Sequence, residues 1–153
     1  MENEKTLIPS RFLLPAGVSA RYNVKVPMRD GVKMSADIFF PEKRDGPFPV
    51  VLSRTPYDNT VETMVDSAVF YAQHGYASVL QDVRGRNDSE GEFYPWVNEF
   101  KDGHDTIEWI GAQEWCDGNV GMVGASHGGI VQNMASISID VLKFLNFLIV
   151  QHL

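Results

Sequence analysis

The sharpest chemical signal in the chain is Gly124-Ala125-Ser126-His127-Gly128, followed directly by Gly129. A G-x-S-x-G run suits a serine held at a very tight strand-to-helix turn. Larger neighbours would collide with the strand and the helix, so small residues flank the serine. Its hydroxyl then stands exposed above the carboxyl edge of a sheet. The following helix aims its first N–H groups at negative charge developing on a substrate oxygen. These features describe acyl transfer with Ser126 as the attacking group. The same glycines admit two other readings. One is a plain glycine-rich turn. The other is a dinucleotide loop on Gly121, Gly124 and Gly128, but its spacing is not G-x-G-x-x-G, and no acidic residue ends another strand about 20 positions further on.

Such a turn needs a sheet beneath it. Tyr22 to Met28 and Lys33 to Phe40 both alternate apolar and polar residues, the period of strands with one buried face. Asp30-Gly31 between them is a hairpin signal, because glycine accepts positive φ. The run Pro49-Val50-Val51-Leu52-Ser53 fits a strand covered on both faces. Thr60 can cap a helix from Val61 to about His74, ended by Gly75. Ala77 to Asp82 reads as the next strand and Arg84 to Gly91 as loop. A helix opens near Asn98 and runs through Trp109 to about Gln113. Gly118 stops the following turn, Val120 to Ala125 is a short strand, and a helix runs from His127 or Gly128 to Ser136 or beyond. A hairpin followed by alternating strands and helices predicts an α/β protein with a mostly parallel sheet and helices on both faces. Residues 1–20, with Pro9 and Pro15, read as an extended arm, and residues 21–153 as one domain.

Four blocks in order carry a family resemblance: Val26-Pro-Met-Arg-Asp-Gly-Val-Lys-Met-Ser-Ala-Asp-Ile-Phe-Phe-Pro; Arg54-Thr-Pro-Tyr-Asp; Gln81-Asp-Val-Arg-Gly with Ser89-Glu-Gly-Glu-Phe; and Glu114-Trp-Cys-Asp-Gly-Asn-Val-Gly-Met-Val-Gly-Ala-Ser-His-Gly-Gly. Over Tyr22 to Ala135 the chain resembles the X-Pro dipeptidyl-peptidase and cocaine-esterase family of α/β-hydrolases. The resemblance implies a serine hydrolase that forms an acyl-enzyme from an ester or a peptide amide. Ser126 then matches the nucleophile, the His127 backbone N–H one oxyanion donor, and the Tyr57 hydroxyl the other. On its residues alone, Tyr57 reads as a packed loop tyrosine. Many relatives carry tyrosine where this chain has His127; the donor is backbone, so the change bears on pocket shape.

This fold orders its triad serine, acid, histidine, on loops after later strands. About two dozen residues follow Gly129. Asp140 is too near the nucleophile helix to be the acid, and His152 is one residue from the end. His74 belongs to a helix C-terminus, where it meets carbonyls. His104 lies on a helix, and the His127 side chain points away from its serine. The domain is therefore expected to be partial, cut after the nucleophile helix, with the oxyanion half of a site and no proton-transfer half. Such a chain is expected to turn over little or no substrate. Its alternative is a non-catalytic fragment that self-associates or binds a partner through an unpaired sheet edge. Residues 137–153 read equally as strand, helix extension or non-native sequence.

Smaller signals have plainer readings. Asp82 and Arg84 read as a salt-bridged structural pair, and Phe93, Tyr94 and Trp96 as core beside a loop rather than an acyl pocket. Glu99, Asp102 and Asp105 read as a solvated helix face, and no metal or cofactor is assigned. The chain has 153 residues, 44% hydrophobic and 22% charged, enough for one folded domain. A net charge of -7 argues against a general nucleic-acid partner. The lone Cys116 forms no internal disulfide. The polar start carries no secretory core, and the apolar run Ile137 to Val150, broken by Asp140, Lys143 and Asn146, is shorter than the roughly 20 residues of a membrane span. A cytoplasmic location without membrane attachment is the expectation.

Overall fold

The computed structural model describes residues 13–42, 44–137 and 147–151. Strands β1 (Val18–Pro27) and β2 (Lys33–Pro41) form the expected antiparallel hairpin. Gly31 turns it with φ +87°, its N–H donating to Met28 O (2.9 Å) while Met28 N donates to Val32 O (2.8 Å). β1 opens at Val18, so the segment read as an arm over residues 1–20 already gives three residues to the sheet; residues 1–12 lie outside the described residues.

Beyond the hairpin come β3 (Phe48–Thr55), α1 (Glu62–Gln73), β4 (Ala77–Asp82), α2 (Glu99–Gly111), β5 (Cys116–Gly124), α3 (His127–Ile137) and β6 (Phe147–Gln151). The sheet order is β1-β2-β4-β3-β5-β6, with β3, β4, β5 and β6 parallel to their neighbours among one another and β2 antiparallel to β4. Of the stretch 137–153, left open between strand, helix extension and non-native sequence, the described residues give α3 running to Ile137 and a sixth strand over 147–151; the rest lies outside the described residues. Asp140 and His152 lie outside the described residues.

Side-chain alternation in the strands separates two apolar layers. Phe39 and Leu80 meet Val65, Ala68 and Ala72 of α1 on one face. Ile38, Leu52, Val79 and Met122 point the other way, toward Ile110 of α2 and Val131 and Ala135 of α3. Thr60 does not cap α1: its N–H and hydroxyl both donate to Asp58 Oδ1 (2.8 and 2.7 Å), and Val61 takes the cap position without a side-chain bond. The helix ends as expected, with His74 Nδ1 2.7 Å from Phe70 O and Gly75 at φ +92°.

The connections decide where a site can form. From β3 the chain passes through α1 to β4; from β4 it passes through α2 and returns on the other side of β3 as β5. The loops leaving β3 and β5 therefore head toward opposite faces, and a crevice opens between their carboxyl ends, where ligands bind in open α/β sheets. No helix among the described residues is long and apolar enough to cross a membrane.

Candidate active site

Ser126 sits at that crevice, between the end of β5 and the start of α3. It is exposed and holds φ +54°, a left-handed conformation that serine seldom adopts. The glycines around it are not equivalent. A Cβ on Gly124 would lie 2.9 Å from Gly128 C and 3.0 Å from Gly128 Cα, so the strand end and the first helical turn touch backbone to backbone. A Cβ on Gly128 would meet only Arg54 O, at an ordinary 3.6 Å. Gln132 ties the turn together, donating through Nε2 to Gly124 O (3.2 Å) and Gly128 O (3.0 Å). Gly121 lies within β5, which removes the dinucleotide-loop reading.

The turn leaves the His127 N–H without an acceptor among the described residues. Across the crevice, the turn after β3 presents Tyr57, which is 65% exposed and whose N–H donates to Thr55 Oγ1 (3.0 Å). The Tyr57 ring meets the His127 imidazole edge-on at 6.3 Å, and its hydroxyl has no partner among the described residues. The three residues singled out from sequence thus converge on one place. A cavity of about 360 Å³ runs from Tyr57 beneath α1, lined by Tyr57, Gly124, Ala125, Met64, Leu80 and Val123 among others.

The His127 side chain is only 6% exposed. Trp96 stacks on it (4.5 Å between centroids, 30° between planes) and Phe93 stands 6.3 Å away. Trp96 and Tyr94 are exposed rather than forming core as expected; Phe93 and Trp96 pack on His127, and Tyr94 bonds Glu92 in its own loop (3.2 Å). Nε2 of His127 has no hydrogen-bond partner and lies 3.9 Å from Glu99 Oε1. Burial holds the imidazole below its ordinary range; Glu99 opposes that shift and Arg54 adds to it.

The acidic residues of α2 are not a solvated face. Glu99 and Asp102 are 3% and 1% exposed. Glu99 Oε2 lies 2.8 Å from the wholly buried Arg54 Nη1, whose Nε donates to Gln81 Oε1 (2.8 Å). Asp102 takes Arg84 through both its oxygens (2.9 and 2.7 Å), and Asp105 takes Arg29 (2.6 Å) from the hairpin turn. Arg84 also pairs with Asp30 (2.8 Å), so the expected Asp82–Arg84 bridge does not form. Asp82 is buried instead, with Oδ1 accepting from Asn59 N and Asn87 Nδ2 (2.9 Å each) and Oδ2 unpartnered. A signal for the α2 arrangement was present: Glu99, Asp102, Thr106 and Ile110 share one helical stripe, and Ile110 is apolar. His104 stands beside Arg29 and Asp105 (3.4 and 3.6 Å), and His74 is at the α1 terminus; neither is bonded to Ser126.

Residues 30–143 match the X-Pro dipeptidyl-peptidase (S15) family. The chain belongs to that family. It is 45% identical over 130 residues to the cocaine esterase of Rhodococcus sp. (strain MB1 Bresler), an alignment covering 82% of this chain and 22% of that protein. Among solved structures, an α-amino acid ester hydrolase superposes with TM-score 0.67 at 31% identity, over 89% of this chain and 26% of the other. A CocE/NonD family hydrolase from Staphylococcus aureus superposes with TM-score 0.69 at 25% identity, over 88% and 31%. The fold is accordingly a partial α/β-hydrolase, and the chain spans about a fifth of the length of the cocaine esterase it matches. These relatives are hydrolases, and so is the family to which this S15 chain belongs.

Proposed function

We propose that the chain carries the nucleophile and oxyanion half of a serine hydrolase acting on ester or peptide amide bonds. One observation carries this: an exposed serine at φ +54° on the β5–α3 turn, next in chain to the His127 whose ring meets Tyr57. Ser126 Oγ attacks the carbonyl carbon, and the carbonyl π electrons move onto oxygen. The Tyr57 hydroxyl and the His127 N–H donate to that oxyanion. Collapse expels the alcohol or amine and leaves an acyl-serine, which water then hydrolyses.

The serine proton must pass to a base and on to the leaving group. Among the described residues, no histidine or carboxylate bonds Ser126 Oγ. Without a base the hydroxyl keeps its high pKa, so this chain by itself is expected to turn over little or no substrate. Fluorophosphonate labelling tests both parts. Weak labelling of the chain, becoming stoichiometric in a longer form that supplies acid and histidine and lost in Ser126→Ala, is the expected outcome. Labelling or hydrolysis that survives Ser126→Ala removes the assignment of the nucleophile.

The apolar groove under α1 favours a second reading, in which the chain pairs with another copy through that surface. α1 packs mainly against β4, β2 and β1, leaving the groove over β3 and β5 open.

A further inference from the structure

An oxyanion held by two donors from different strands requires both at a fixed separation, about 2.7–3.1 Å from the oxygen. The His127 N–H is fixed by the elbow. Tyr57, by contrast, stands on a strained turn between β3 and α1. Asp58 beside it has φ +108°, a strained region few non-glycine residues occupy, so the local bonds from Tyr57 N to Thr55 Oγ1 and from Thr60 to Asp58 Oδ1 hold a conformation that needs support from outside the turn.

The turn is gripped from outside at two points. Before Tyr57, Pro56 O accepts from Arg86 Nε at 2.8 Å. After it, Asn59 N donates to Asp82 Oδ1 at 2.9 Å, and Asn59 Nδ2 donates to Leu80 O at 3.2 Å. Both gripping side chains come from the end of β4 and the loop beyond it. That loop is itself pinned: Ser89 Oγ donates to Asp82 O (2.8 Å), and Val83 N donates to Thr55 O (2.9 Å). The Arg86 guanidinium also lies over the Phe93 ring (5.3 Å), and Phe93 faces His127. One residue thus touches the Tyr57 turn and the aromatic wall around the second donor.

We propose that Asp82 and Arg86 are positioning residues that act through Pro56 and Asn59 to set the place of the Tyr57 hydroxyl opposite the His127 N–H. This rests on the reading of Tyr57 as an oxyanion donor, but its test does not need catalysis. The chain is labelled with 3-fluorotyrosine, and Tyr57→Phe identifies the Tyr57 fluorine resonance. Arg86→Ala and Asp82→Ala are each expected to displace that resonance. Asp82→Asn, which keeps the Oδ1 acceptor, is expected to restore the wild-type position. A role in fold stability alone would lower the melting temperature and leave the Tyr57 line in place. An unmoved resonance in folded Arg86→Ala and Asp82→Ala overturns the proposal, as does displacement in only one of them. Arg86 is exposed, so its variant decides the matter if Asp82→Ala does not fold. Failure of Ser126 labelling would bear on the proposed function and would leave this readout unaffected.

Discussion

Ser126 holds a backbone conformation that costs an ordinary L-residue about 1–2 kcal/mol, because Cβ crowds the following carbonyl. Removing Cβ should release most of that strain. Ser126→Gly is therefore expected to be more stable than Ser126→Ala by about 1 kcal/mol, read from urea midpoints. Equal midpoints would show that the turn is relaxed. Asp82 stores strain of another kind. Burial pushes its carboxyl from the ordinary 3.8 up to about 6, against the pull of the Asn87 and Asn59 hydrogen bonds and with help from the Asp58 and Asp88 charges. Between those two values the folded chain keeps a proton that the unfolded chain has released. Stability therefore falls as pH rises through that window and stays lower above it. Asp82→Asn is expected to abolish this pH-dependent loss, measured by urea unfolding across pH. His127, held low by burial, works in the opposite sense: it costs stability as pH falls below its ordinary 6.5. The difference between wild type and Asp82→Asn thus isolates the carboxyl; a difference that does not change with pH would place the titration elsewhere.

Between β5 and α3 the backbones meet at Gly124 and Gly128, and the contact is one-sided. A methyl on Gly124 runs into the helix backbone, whereas one on Gly128 finds ordinary van der Waals space. Gly124→Ala is expected to cost about 1–3 kcal/mol in thermal or denaturant unfolding, and Gly128→Ala much less; equal costs would mean that the elbow rearranges. The sequence motif treats these two glycines alike, because a pentapeptide does not record which Cβ vector faces the other chain segment. Elements shaped by local chemistry were legible, among them the Asp30-Gly31 hairpin, the strand runs, the Gly75 helix stop and the serine turn itself. The α2 carboxylates were misread because their partners Arg54, Arg84 and Arg29 come from the β3 strand, the β4 loop and the hairpin turn. Charge within one helix looks solvated until the rest of the fold brings its counter-ions. Thr60 failed as a cap for a local reason instead: Asp58, two residues earlier, takes its hydroxyl.

At the level of the whole molecule, the described residues form six strands and three helices with a groove beneath α1, lined by Met64 and Val123 and floored by the buried Ala68 and Leu80. The chain is expected to show concentration-dependent self-association in size-exclusion chromatography, reduced by Met64→Lys; a monomer at every concentration would remove that reading. Tyr57 and Ser126 follow β3 and β5, which lie side by side, while β4 intervenes along the chain. Their meeting is thus a product of two completed strand–helix–strand returns rather than of any local hairpin. In time as well as in space the hollow between them is a late arrival: nascent polypeptide emerging up to the end of β4 would hold one rim of it and nothing to face, and refolding should close it at the slow pace of long-range parallel pairing.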